Sequence, residues 1–145
     1  MNCIKEAENK LRMYKGKTQA LKSLQDQIKY LESEMTTVRS ASADGTAVHG
    51  GGSGRETALL DNIAERAELE KALEHTREWV NAVSGALRAL TSEERRVLDL
   101  FYIEKQKGHV ERLSEEFNVE KAQVYRRKEA ALLNFVHAFY GVTET

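Results

Sequence analysis

The sequence contains no proline, one cysteine and few aromatics, with four Phe, five Tyr and one Trp in 145 residues. Without proline, nothing removes a backbone donor or forces a clash with the preceding turn, so long uninterrupted helices are permitted throughout. The lone Cys3 has no intramolecular partner, which excludes a disulfide scaffold. No window reaches the ~18 apolar residues of a membrane-spanning helix, because a charged or strongly polar side chain interrupts every hydrophobic stretch. The opening MNCIKEAENK carries neither an apolar run of signal-peptide length nor a lipidation signature, and cytoplasm is the expected compartment. Hydrophobic residues make up 41% and charged residues 31%, the composition expected of a soluble, helix-rich chain with no membrane partner.

Net charge is also nearly absent, at -1, but its distribution is uneven. Residues 1–40 carry +3, residues 41–90 carry -3 and residues 91–145 carry -1. A near-neutral total therefore does not by itself exclude a polyanionic partner.

What is present is helical periodicity. Ile4, Ala7, Leu11, Tyr14, Thr18, Leu21, Leu24, Ile28, Leu31, Met35 and Val38 follow one another at steps of three and four, with one doubled step of three at 18, 21 and 24. This spacing predicts a single narrow apolar seam along a helix spanning residues 1–39. Residues 40–56, SASADGTAVHGGGSGRE, have no such period and read as a Gly/Ser-rich linker. Periodicity resumes over 57–90, where Leu69, Leu73, Thr76, Val80, Val83, Leu87 and Leu90 continue the pattern and Leu59, Leu60 and Ile63 lead into it. Two stretches of similar length and opposite charge on either side of a flexible connection predict an antiparallel coiled-coil hairpin, with pairing between chains as the other possibility. A two-helix seam buries little, so the hairpin is expected to be completed by a second copy or by the C-terminal part.

Seven of the ten aromatics fall in the last 55 residues, where a compact core is expected over 91–141, with 142–145 as a tail. Thr91-Ser92-Glu93-Glu94 reads as a capping box opening a helix that carries Val97, Leu98 and Phe101 and ends near Ile103. A short helix then carries Val110, Leu113 and Phe117. Asn118 suits a left-handed turn, and a long helix from about Glu120 to Tyr140 turns Val124, Ala131, Leu132, Phe135, Val136 and Phe139 inward before stopping at Gly141. The fold class is therefore all-α. The spacing of Leu113, Ser114, Phe117, Asn118, Val119 and Val124 matches a helix-turn-helix: an inward apolar residue, a small residue at the helix crossing, a turn former and two core contacts. Lys121, Ala122, Gln123, Tyr125, Arg126, Arg127 and Lys128 would then face outward as the DNA-binding residues, with four cations and no acid between 121 and 128. Cations there bind phosphate through counterion release, while Gln123 and an Arg read base edges in the major groove of double-stranded DNA. A solvated cationic face on a core helix is the plainer alternative.

The stretch LTSEERRVLDLFYIEKQKGHVERLSEEFNVEKAQVYRRKEAALLNF, residues 90–135, resembles region 4 of bacterial sigma factors. More closely, it resembles the sigma-region-4-like domain of ArpU- and RinA-type phage transcriptional regulators. The resemblance covers about a third of the chain and rests on Leu100 to Glu104 ahead of the helix-turn-helix, and on Val124, Tyr125, Arg126, Ala131 and Leu132 within its second helix. It implies promoter or operator binding and allows contact with RNA polymerase. Glu120 stands where that family usually has Ser or Thr, Lys128 where an apolar residue is common, and EKQKGH is a longer connection.

Other sites are poorer. GGGSGRET, residues 50–57, runs into a helix start but lacks the lysine and preceding strand of a phosphate loop, and reads as linker. His49, His75, His109 and His137 have no ligand spacing with Cys3, so no metal site is expected. No nucleophile–base pair or convergent carboxylate pair is recognisable, so neither catalytic residues nor a cofactor are expected. Trp79 reads as a packing anchor or partner contact. Three readings follow: a DNA-binding phage regulator forming a homodimer or higher homo-oligomer, a protein-interaction module contacting RNA polymerase without strong DNA binding, and a packaging protein of the small-terminase type.

Overall fold

The computed structural model describes residues 2–43 and 52–141, and every regular element among them is helical. Helix α1 spans Cys3–Ala43 and α2 spans Gly52–Arg88. Then come α3 (Ser92–Leu98), a π-helical turn (Asp99–Ile103), α4 (His109–Phe117) and α5 (Lys121–Tyr140). The all-α class is thus observed. No described helix is long and apolar enough to cross a membrane. Both long helices extend into the expected linker, α1 through Ala43 and α2 from Gly52, because adding residues to an established helix costs far less than nucleating one. The rest of the linker, residues 44–51 including His49, and the tail 142–145 lie outside the described residues, as does the side chain of Val38.

The chain divides into two compact units, Met1–Thr18 with Glu78–Thr145, and Gln19–Arg77. Each long helix contributes to both units.

In the unit Gln19–Arg77, Ile28 and Leu31 are buried while Leu21, Leu24, Leu69 and Leu73 are half-buried. The inward row of α2 continues back from Leu69 through Arg66 and Asn62 to Leu59 at steps of three and four. Leu60 and Ile63, which lead into the periodic stretch, lie off that row and are 65% and 46% exposed. The two polar residues are joined to each other along α2, and each reaches across the seam to α1. Asn62 donates to the Leu31 carbonyl (2.9 Å), Arg66 donates to the Asn62 carbonyl oxygen (2.9 Å), and the Arg66 guanidinium meets the Met35 sulfur.

The other unit is a true core. Leu11, Val83, Val97, Leu98, Leu100, Leu113, Val124 and Phe135 are fully buried. Thr91 caps α3: its hydroxyl accepts from the Glu94 amide (3.2 Å), and the Glu94 carboxylate accepts from the Thr91 amide (3.0 Å). Just beyond the end of α2, Arg95 donates to the Leu90 carbonyl (3.1 Å) and, at 3.5 Å, to the Leu87 carbonyl, which also accepts from the Leu90 amide. The π-helical turn closes with the Glu104 amide donating to Asp99, five residues back, at 2.7 Å. It leaves Phe101 against His109 and Tyr125, and Tyr102 toward α1, where its hydroxyl donates to Glu8 (2.9 Å) and its ring lies under Arg12. The first turns of α1 thus pack on the C-terminal helices. Lys15 pairs with Glu104 (2.9 Å), Lys10 lies over Phe139 and Tyr140, and Ala7 and Leu11 are buried. Trp79 is half-buried beneath the Lys17 ammonium. The α5 face expected to turn inward does so: Val124, Ala131, Leu132, Phe135 and Val136 are buried and Phe139 is half-buried. Gly141, at φ 67, ends the helix in a left-handed conformation.

Burial first, then the hydrogen bond to Glu8 and its negative charge, push the Tyr102 hydroxyl well above the ordinary tyrosine value. The folded chain therefore holds this proton at pH values where the unfolded chain loses it, so stability falls as pH rises above about 10. Thermal melts across that range should show the loss, and Tyr102→Phe should flatten it; an equal alkaline loss in the Phe variant would exclude this contact as the cause.

Candidate nucleic-acid interface

Helix α4 begins after Gly108, whose φ of 73 suits glycine, and ends at Asn118, in the left-handed region at φ 55 and ψ 51. The Val119 amide donates to the Ser114 carbonyl (3.0 Å), while the Ser114 hydroxyl returns a hydrogen bond to the Val119 carbonyl (2.5 Å). Ser114 is small enough to sit where the helices cross and polar enough to tie down the turn. Leu113 and Val124 are fully buried, fixing α4 against the first turns of α5. Glu120 is the N-cap of α5 in extended backbone, but its side chain makes no capping bond, and only its carbonyl accepts, from Gln123 and Val124.

The seven residues expected to face outward do not share one surface. Lys121, Ala122, Tyr125 and Arg126 are exposed, with Tyr125 at 49%, and Gln123 is half-buried beside them. Arg126 reaches only Gln123, at 3.4 Å, and is the least engaged of the four cations. Lys121 pairs with Glu111 of α4 at 3.3 Å. Arg127 turns toward α3, 3.7 Å from Glu93 and over the Phe117 ring. Lys128 turns to the other side and lies over Phe101. Residues 127 and 128, three and four positions beyond buried Val124, return to its side of the helix and are half-buried, whereas Lys121, three positions before Val124, stays exposed as the first residue of α5. Of the four cations, Lys121 and Arg126 are exposed while Arg127 and Lys128 are half-buried.

Sequence spacing also missed the acids that face these cations. Glu93 and Glu111 lie 34 and 10 residues from their partners, and no local pattern signals such pairs. The Glu111 carboxyl is held below the usual range, chiefly by its own backbone amide and then by Lys121. Glu94 is also lowered: partial burial works in the opposite direction and is outweighed by hydrogen bonds from Asn134 and Thr91. Near the α4 N-terminus, His109 stacks edge-on to Phe101 with ring centroids 4.5 Å apart, and Arg112 donates to Gln106.

The arrangement offers a helix end with two exposed cations, an amide side chain and a half-exposed phenol ring, flanked by acids at 93, 111 and 120. No protein family, curated protein or solved structure matches the chain. Among the described residues, no group of three His, Cys, Asp or Glu side chains is placed to hold a metal ion. Residues 50 and 51 of the Gly-rich stretch lie outside the described residues, and Gly54 and Arg55 belong to the first turn of α2.

The interface depends on the turn at Asn118. Asn118→Gly should change stability by only a few tenths of a kcal/mol, whereas Asn118→Val should cost about 1–2 kcal/mol, since β-branched residues resist positive φ. Chemical denaturation of both variants checks this, and equal losses would show that the backbone conformation is not what the position requires.

Proposed function

We propose that this chain is a DNA-binding transcriptional regulator of phage or prophage type, with a sigma-region-4-like helix-turn-helix formed by α4, the turn at Asn118 and α5. The observation that carries the reading is that α5 starts from a fixed turn and presents Lys121, Ala122, Gln123, Tyr125 and Arg126 together at its exposed first turns. A helix end of this kind fits the major groove, with Gln123 and Arg126 on base edges and Lys121 on phosphate. Arg127, paired with Glu93, and Lys128, over the Phe101 ring, flank this surface instead of forming its centre. In this proposal α1 and α2 form an antiparallel hairpin, and two copies associate through it so that two recognition helices meet half-sites about one DNA turn apart. Exposed Leu60 and Ile63, three residues apart on α2, support that association.

A second reading is that the domain contacts RNA polymerase without strong DNA binding. The pairing of Lys121 with Glu111 and of Arg127 with Glu93 favours it, because both cations are already partly neutralised.

Titration of fluorescent random-sequence DNA across a salt series, with light scattering on the same sample, separates the readings. The regulator should show affinity that falls steeply with salt and a dimeric or larger mass. Lys121→Ala should weaken binding about tenfold and reduce the salt slope by about one, with helical content unchanged. Arg127→Ala should do less. Absence of DNA binding at low salt would overturn the proposal in favour of the polymerase-contact reading.

A further inference from the structure

On one flank of the unit Gln19–Arg77, two depressions of about 680 and 530 Å³ run into each other and share Tyr30, Leu31, Glu34 and Glu65. Leu31 and Leu69 supply an apolar floor, and Tyr30 stands 64% exposed with its hydroxyl bonded to Glu34, four residues on. The walls are acidic, with Asp26 and Asp61 joining Glu34 and Glu65 against the one cation Lys22. Leu60 and Ile63 take no part in this lining and belong to the other flank of α2.

Two features define what fits. Leu59 and Leu69, half-buried on α2, line the groove beside Leu31, so two helices alone leave the apolar row partly open on this flank and the groove has the shape to accept another helix. Its charge then selects the kind of helix. A second copy docked face to face about a two-fold axis would set these four carboxylates against the same four, and like charges across an interface cost several kcal/mol. A helix with an apolar stripe flanked by Lys or Arg meets the floor with its stripe and the walls with its flanks. Exposed tyrosine over a leucine floor also supplies the kind of side chain that dominates binding energy at interfaces.

We propose that this groove docks a cationic amphipathic helix of another protein, at a site separate from the α5 surface and independent of whether that surface binds DNA. The probes are two labelled helical peptides with the same leucine stripe, one flanked by lysines and one by glutamates. They are titrated against the full-length chain by fluorescence anisotropy. The lysine peptide should bind about tenfold or more tighter than the glutamate peptide and weaken with salt. Glu65→Lys with Tyr30→Ala should remove that preference. Both positions are exposed, so circular dichroism and thermal melting should match the parent chain. Leu60→Glu, on the other flank, should leave the preference intact. Equal binding of the two peptides, no binding of either, or a preference that survives the Glu65→Lys, Tyr30→Ala variant would overturn the proposal. A change of the chain's own oligomeric mass in that variant would also overturn it, by identifying a second copy as the occupant.

Discussion

Three consecutive side chains, Leu100, Phe101 and Tyr102, are all buried, and most of the larger unit follows from meeting that demand. Successive residues of a helix point about 100° apart, so burying three in a row requires neighbours around more than half of the helix circumference. Helices α4 and α5 cover the Phe101 side through His109, Tyr125 and Lys128. The first turns of α1 cover the Tyr102 side through Glu8 and Arg12. The π-helical turn that carries these residues is thus enclosed by parts of the chain almost a hundred residues apart. The orientation of α5 is set from the same centre.

Electrostatics act on a smaller scale around this core. Arg96 forms a two-pronged pair with Glu116, Lys121 meets Glu111 and Arg127 meets Glu93, each joining two different helices. Pairs this exposed add little stability individually. Their larger effect is on what remains available to a ligand: a helix that reads as strongly basic in sequence presents a much more modest positive surface. The near-neutral net charge reflects 22 Lys and Arg set against 23 Asp and Glu, not the absence of charge.

Much of the C-terminal half was legible because its signals are local. The capping box at Thr91 and Glu94, the left-handed turn at Asn118, the stop at Gly141 and the inward face of α5 each depend on residues a few positions apart. The outward set at 121–128 was legible only in part, because counting charges does not track the return of Arg127 and Lys128 to the side of Val124. In α2, apolarity drew attention to Leu60 and Ile63 while the inward row passed through Asn62 and Arg66. Those polar residues are tolerated because each finds a partner in the seam, an arrangement that hydrophobic periodicity cannot register. The seam of α1 marked Ala7 and Leu11 as apolar and in need of cover, but nothing in either segment showed which C-terminal residues would supply it.

The discontinuity of the larger unit also bears on how the protein is made. Residues 3–18 are translated long before the segments whose side chains cover Ala7, Leu11 and Glu8, Tyr102 and Tyr140 among them. Until that point the leading turns of α1 have only a marginal helix of their own and an uncovered apolar stripe. Final closure of this unit is therefore a late, long-range event, and during synthesis the N-terminal segment is the part most open to capture by a chaperone or by another nascent chain.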